Sequence, residues 1–351
     1  MKPRRVRTLL ALAAALAAAW ALSSCARQSG ASKGPSSAAS GEGYDLLVYS
    51  SHPEEMARYL AAEFRERTGL KLRIEQGGTG EMLMRLRTET ASGRGESCDV
   101  LWGGGAESLW ANADLFEPYV SPEAAAIPGE RKAADGSWTG FTVLPMVLVY
   151  NRRLLAPERA PGSWASLLEP RFRGRVAYAD PSASGSAYTI LRTATLALSR
   201  GRSADEALGL FAEFIGGRLL PESTQVVPSV ASGDCLVGLS FENAVTEALS
   251  TDQDLRIVYP TDGTSAVPDG VALVEGAPHP AEARRFIDFV LSSDAAKIVV
   301  GRFGRRSARL DAPSPKGLAP LSSLSILPYD ISAAAAAKAS LVEAFRSRSA
   351  R

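Results

Sequence analysis

Three times in the first third of the chain, a short apolar run is followed by small polar residues and then by a segment of helical character. Few folds accommodate that repetition. Asp45-Leu-Leu-Val-Tyr49 reads as a buried strand. Ser50, Ser51 and His52 follow, and Pro53-Glu54-Glu55 opens a helix, since proline suits a first turn and acids suit its dipole. Met56, Tyr59, Leu60 and Phe64 have helical spacing, and Gly69 ends the run. Residues 71–75 predict a second strand. Gly77-Gly78-Thr79-Gly80 then leads into a helix with Met82, Leu83 and Leu86 on one face. Residues 99–102 predict a third strand, ending in a loop at Gly103, Gly104 and Gly105 before a helix over 106–113. Repeated units of this kind build an α/β fold with a mainly parallel sheet. Its ligands sit beyond the carboxyl ends of the strands.

The pattern then restarts. Residues 141–150 form a long strand-like run able to cross from one lobe to another, and Ser163 caps a short helix over 163–168. The stretch Tyr178-Ala-Asp-Pro-Ser-Ala-Ser-Gly-Ser-Ala-Tyr188 closes a strand over 175–179 and opens a helix over 187–197. The first N–H groups of that helix lack internal partners, and its dipole adds about half a positive charge. Ser184, Gly185 and Ser186 are small enough to let an oxyanion approach that backbone; an ordinary cap in a strand-to-helix turn is the plainer reading. A strand over 236–239 ends in Ser240-Phe241-Glu242-Asn243, and a strand over 256–259 is placed to carry the chain back. Thr261-Asp262-Gly263-Thr264 forms a turn, a strand covers 271–274, helices cover 205–215, 281–291 and 294–300, and an alanine-rich helix over 332–347 closes the chain on the outside.

The amino end has a different character. Lys2, Arg4, Arg5 and Arg7 precede an apolar run from Leu9 to Leu22, as in an export signal. Leu22-Ser23-Ser24-Cys25 resembles the lipobox of bacterial lipoproteins, in which the cysteine is acylated. Residues 28–43, rich in Ser, Gly and Ala, read as a flexible tether. Removal of residues 1–24 takes away four of the 39 basic residues and none of the 38 acidic ones, leaving a net charge of −3. That argues against a nucleic-acid partner, which a basic patch normally meets. Cys98 and Cys235 precede strands of different lobes, so two buried free thiols are expected rather than a disulfide. No Cys/His spacing suggests zinc, and His52 and His279 are the only histidines. An enzyme finds no support either: there is no Gly-x-Ser-x-Gly elbow and no paired carboxylates.

The order of elements over roughly 44–329 resembles the type II periplasmic binding proteins of ABC importers. Within them it is similar to the group of ferric-ion-binding proteins and their sugar-phosphate and phosphonate relatives. Val48-Tyr49-Ser50-Ser51-His52, Asp99-Val-Leu-Trp-Gly-Gly-Gly105, Tyr178-Ala-Asp-Pro-Ser-Ala-Ser-Gly-Ser186 and Trp164 before Gly174-Arg175 carry the resemblance. It implies two lobes joined by two crossing strands, near 143–150 and 257–260, closing like a hinge on a solute. The expected division is 1–24 signal, 25–43 tether, 44–145 with 260–351 as the first lobe, and 146–259 as the second. The implied partners are a small anionic solute, a permease, an ATPase and, through Cys25, a membrane. The protein is expected to be a monomer on the periplasmic side of the envelope.

Iron-binding relatives hold ferric ion with two adjacent tyrosines, a first-loop histidine and a third-loop acid. His52 matches the histidine, but Phe241-Glu242-Asn243 stands where the tyrosines would be, and glycines fill the third loop. The resemblance therefore points to a phosphorylated or otherwise anionic solute without a cofactor, with ferric ion as the alternative and a sensor feeding a membrane kinase as another. Expected ligand contacts are Ser50, Ser51, His52, Gly104, Gly105, Ser184, Gly185, Ser186, Glu242 and Asn243. Glu242 also reads as a solvated acid in a first helical turn, and His52 as a cap neighbour. Asp262 and Thr264 either line the cleft or form a plain turn.

Overall fold

Strand β1 (Leu46–Ser50) is buried at every position, which explains its unbroken apolar run: a parallel strand covered on both faces has no polar side. The computed structural model describes residues 43–92 and 98–350, so the expected signal, Cys25 and most of the tether lie outside the described residues. Helix α1 (Glu54–Thr68) lays Met56, Ala57, Leu60 and Phe64 on the sheet and stops at Gly69, whose φ of 77° is the left-handed value a helix end favours. Strand β2 (Leu72–Gln76) pairs parallel with β1, and α2 (Thr79–Ser92) follows. Strand β3 (Val100–Gly105) pairs parallel on the other side of β1 and runs straight into α3 (Ala106–Trp110). The three glycines thus form the irregular end of a strand, not the loop expected from their composition.

After β4 (Phe116–Glu117) comes β5 (Thr139–Asn151), the strand on which the molecule is hung. The chain continues through α4 (Trp164–Leu167), β6 (Val176–Ala177), α5 (Gly185–Leu198), α6 (Ala204–Ile215), α7 (Val226–Ala231), β7 (Val237–Phe241), α8 (Glu242–Leu249) and β8 (Leu255–Val258). It returns as β9 (Ala266–Val274), α9 (Pro280–Leu291), α10 (Ser293–Phe303), β10 (Arg306–Ser307) and α11 (Ile331–Ser349). The sheet order is β2-β1-β3-β9-β5-β7-β6. The amino half of β5 pairs antiparallel with β9, from Thr139↔Val271 to Pro145↔Ala266. Its carboxyl half pairs antiparallel with β7, from Met146↔Phe241 to Tyr150↔Val237. One strand therefore serves two lobes, and the change of partner falls between Pro145 and Met146. Strand β8 pairs with residues 148–151 of β5, so the return between lobes is made by the residues after it, up to Ser265. There the Thr264 hydroxyl donates to the Met146 carbonyl, tying the two crossings together.

The cores follow this division. On one face of the first-lobe sheet Val48, Trp102 and Val143 pack with Phe64 of α1 and Phe286 of α9; on the other, Tyr49 and Leu101 pack with Leu86 and Leu109. The second lobe gathers Leu148, Leu191, Phe211 and Leu239. Phe345 of α11 is fully buried in this second core, 6.1 Å from Tyr178 and 6.2 Å from Phe211 between ring centres. The closing helix thus packs on α6 of the second lobe and also on α3 of the first, where Ile331 joins the core. Cys98 and Cys235 are free and buried, in the cores of different lobes.

Candidate functional site

Strands β1, β2 and β3 all end at the edge of the first lobe that faces the second. Ser50 is fully buried there, and its Oγ accepts from the His52 amide at 3.2 Å. Thr79, opening α2, donates its hydroxyl to Ser51 Oγ at 3.2 Å. Close approach of these three strand ends depends on glycine. Gly103 and Gly104 have φ of 117° and 91°, and a Cβ on Gly103 would stand 2.5 Å from Ser51 Oγ. One on Gly104 would stand 2.7 Å from Thr79 Cγ2. Ser51, Thr79 and Gly104 therefore form a single small polar floor.

His52 lies beneath that floor, 4% exposed, edge-on to Trp102 and Phe141 at 4.8 and 5.1 Å. Its Nδ1 is 3.8 Å from Asp269. Asp269 also accepts from the Thr142 amide and hydroxyl at 2.9 and 2.6 Å and from Arg305 at 2.9 Å. Burial pulls the imidazole pKa down to about 4; Asp269 opposes that and the Arg305 charge adds to it. The ring is neutral at pH 7, and its Nε2 is buried without a partner among the described residues.

In the second lobe, Asp180 accepts from the Ser182 amide and hydroxyl at 2.8 and 2.7 Å, turning the chain into α5. Ser184 caps the helix, its Oγ accepting from the Ala187 amide at 3.3 Å and lying 3.1 Å from Ser186 Oγ. The Gly185 and Ser186 amides, the first of the helix, have no partner within it. Small residues chosen by the chain at this turn thus leave an open amino end.

The remaining expected contacts have other occupations. Glu242 is 2% exposed and accepts two bonds from Arg306, at 2.7 and 2.9 Å, and a further one from the Tyr259 hydroxyl. Asn243 donates to Glu247 at 2.6 Å, while its Oδ1 is buried without a partner among the described residues. Asp262 accepts from the Trp164 and Ala165 amides at 3.0 Å each, so both of its oxygens serve the start of α4. Thr264 is buried in the hinge.

One residue that the sequence reading passed over stands where the lobes meet. Glu107, in the first turn of α3, is 4% exposed. Its Oε1 accepts from Thr189 Oγ1 of α5 at 2.8 Å and from the Tyr329 hydroxyl at 2.7 Å. This contact sets the third strand end, with Ser50, Ser51, His52, Gly104 and Gly105 around it, against the opening turns of α5. A negative residue two positions after a glycine run, opening a helix, was the available signal.

The comparisons with known proteins bear on the family and the fold. The model of the bacterial extracellular solute-binding proteins matches residues 98–333. "Iron uptake protein A1" of Synechocystis sp. is 27% identical over 289 residues, 78% of each chain. The "putative 2-aminoethylphosphonate-binding periplasmic protein" of Salmonella typhi is 24% identical over 66% of this chain and 68% of its own. The fold matches that of the periplasmic binding protein AfuA from Actinobacillus pleuropneumoniae, solved with fructose-6-phosphate bound. The TM-score is 0.74 at 21% identity, over 85% of this chain and 96% of that one. Its relatives are exported proteins that bind substrates for transport and are not enzymes. A two-lobed α/β chain with helix ends facing each other across a hinge strand thus belongs to the bacterial extracellular solute-binding proteins.

Proposed function

We propose that this is the solute-binding component of an ABC importer, anchored by lipid at Cys25, and that it captures a small phosphorylated or otherwise anionic solute between its lobes. One observation carries the ligand class. Of the long helices that start beside the strand ends, α1, α2 and α8 have an acid in the first turn, whereas α5 has none. An anion at α5 meets the Gly185 and Ser186 amides, the Ser184 and Ser186 hydroxyls and the helix dipole, with no acid in the helix's own first turn to repel it; the Glu107 carboxylate, engaged by Thr189 and Tyr329, lies one turn farther in. Ser51 and Thr79 supply hydroxyls from the other lobe. Hydrogen bonds to a charged group contribute about 1.5–3 kcal/mol each, so four or five approach the roughly 8–12 kcal/mol of micromolar to nanomolar binding.

Ferric capture is the second reading, favoured by the iron-uptake relative and by the unpartnered Nε2 of His52. Against it, Phe241 offers no phenolate, and Glu242 is already neutralised by Arg306.

Thermal shift on the chain from Gly43, against sugar phosphates, 2-aminoethylphosphonate, inorganic phosphate and ferric citrate, tests the reading. A ligand at 100 times its Kd adds about 2.7 kcal/mol. Stabilisation by an organophosphate, abolished in Ser184→Ala/Ser186→Ala, is the expected result. Stabilisation by ferric ion alone, with a coloured complex, overturns it. For the anchor, Cys25→Ser should move the protein from the membrane to the soluble fraction.

A further inference from the structure

We infer that Glu107 is a positioning residue that bolts the two lobes together and sets the angle at which the amino end of α5 faces the first-lobe strand ends. Its single Oε1 receives hydroxyls from two different parts of the chain. Thr189 lies one turn into α5, and Tyr329 lies on the segment leading into α11. That helix is itself seated on the second lobe through Phe345, and its Ala334 carbonyl takes the Tyr188 hydroxyl. Movement of α5 away from α3 therefore takes the Thr189 donor from a carboxylate that is 4% exposed, while Tyr329, packed with Ile331 against the first-lobe core, stays beside it. Loss of a direct hydrogen bond to a charged group is costly, so the contact resists opening. Farther along α5, Thr193 Oγ1 is 2.5 Å from Ser265 Oγ in the return crossing, which leaves the helix pinned at two heights. The placement of Glu107 does not depend on which solute is bound.

The test is a distance between the lobes in the protein without solute. Spin labels at Arg58→Cys on α1, where the native side chain is 78% exposed, and at Leu210→Cys on α6, 41% exposed, report it. Cys98 and Cys235 are buried and do not compete for label, and Cys25 is replaced by serine in the parent. The parent should give one narrow distance distribution in pulsed electron–electron resonance. Glu107→Ala should broaden it toward longer distances, and so should the isosteric Thr189→Val, which removes the donor from the second-lobe side. Glu107→Gln, whose amide oxygen still accepts both hydroxyls, should keep the narrow distribution. If Glu107→Ala does not fold, Thr189→Val decides alone. An unchanged distribution in Thr189→Val, whatever happens to its melting temperature, overturns the inference and leaves Glu107 a packing residue.

Discussion

Arg306 clasps Glu242 with two nearly parallel hydrogen bonds, 2.7 Å from Nε and 2.9 Å from Nη2, and both side chains are almost wholly buried. Arg306 sits on β10, paired to Val143 of the first lobe, while Glu242 opens α8 of the second. The pair therefore spans the hinge. Removal of one partner leaves a buried charge uncompensated, which costs about 3–5 kcal/mol. Arg306→Met should lose that much in urea denaturation, and Arg306→Met/Glu242→Leu should recover most of it. A single-variant loss below about 1 kcal/mol would mean that water reaches the pair in solution.

Asp262 separates structure from binding. Its two carboxylate oxygens each take one amide at the start of α4, and the Trp164 indole donates to the Gly263 carbonyl beside it at 2.9 Å. Loss of a cap costs about 1 kcal/mol. Asp262→Ala should therefore lower stability by about that amount and leave the Kd of the stabilising organophosphate unchanged. A Kd raised tenfold would return Asp262 to the cleft.

The features legible in the sequence are those that nearby residues determine. Strand β1, helix α1 and the Ser184 cap each follow from the local pattern, because burial on both faces, helical spacing and capping act over a few residues. The hinge strand was legible from its length alone. The features that join the lobes were not. Arg306 and Glu242 are 64 residues apart, Glu107 and Thr189 are 82 apart, and Glu107 and Tyr329 are 222 apart. Nothing local marks Glu242 as spoken for, since an acid in a first helical turn looks the same whether it meets solvent or a guanidinium. The glycine run misled in a related way: composition suggested a loop, whereas pairing with β9 carries it as a strand up to Gly105↔Asp269.

That run supports a further prediction. With φ of 117° and a Cβ position 2.5 Å from Ser51 Oγ, Gly103→Ala meets both backbone strain and a clash. Strain of this kind costs about 1–3 kcal/mol. Gly105, with φ of −63°, has the Glu107 carboxylate at 3.1 Å from its Cβ position. Gly105→Ala should be the milder of the two in thermal denaturation, and Gly103→Ala alone should also weaken solute binding by displacing Ser51. Equal losses would show that the backbone at Gly103 relaxes freely.

The buried imidazole gives the fold an acid limit. Burial holds the His52 pKa at about 4, below its ordinary value, so in the interval between them the unfolded chain binds more protons than the folded one. Stability therefore rises with pH: the contribution is complete above the ordinary imidazole pKa near 6.5 and is lost as pH falls toward 4. The full difference corresponds to about 3 kcal/mol. Asp269, held below the usual carboxylate range although burial alone would raise it, loses its own contribution only at lower pH. Urea melts at pH near 7 and near 4.5 should thus show a fall of about 2–3 kcal/mol more in the parent than in His52→Gln, which has no group titrating there. Parallel curves for the two proteins would mean that the imidazole reaches water and titrates normally. His52 would then be open to water and to a ligand, still mostly neutral at pH 7 and charged only below about pH 6.5, and the enclosed ring described above would not be its resting state.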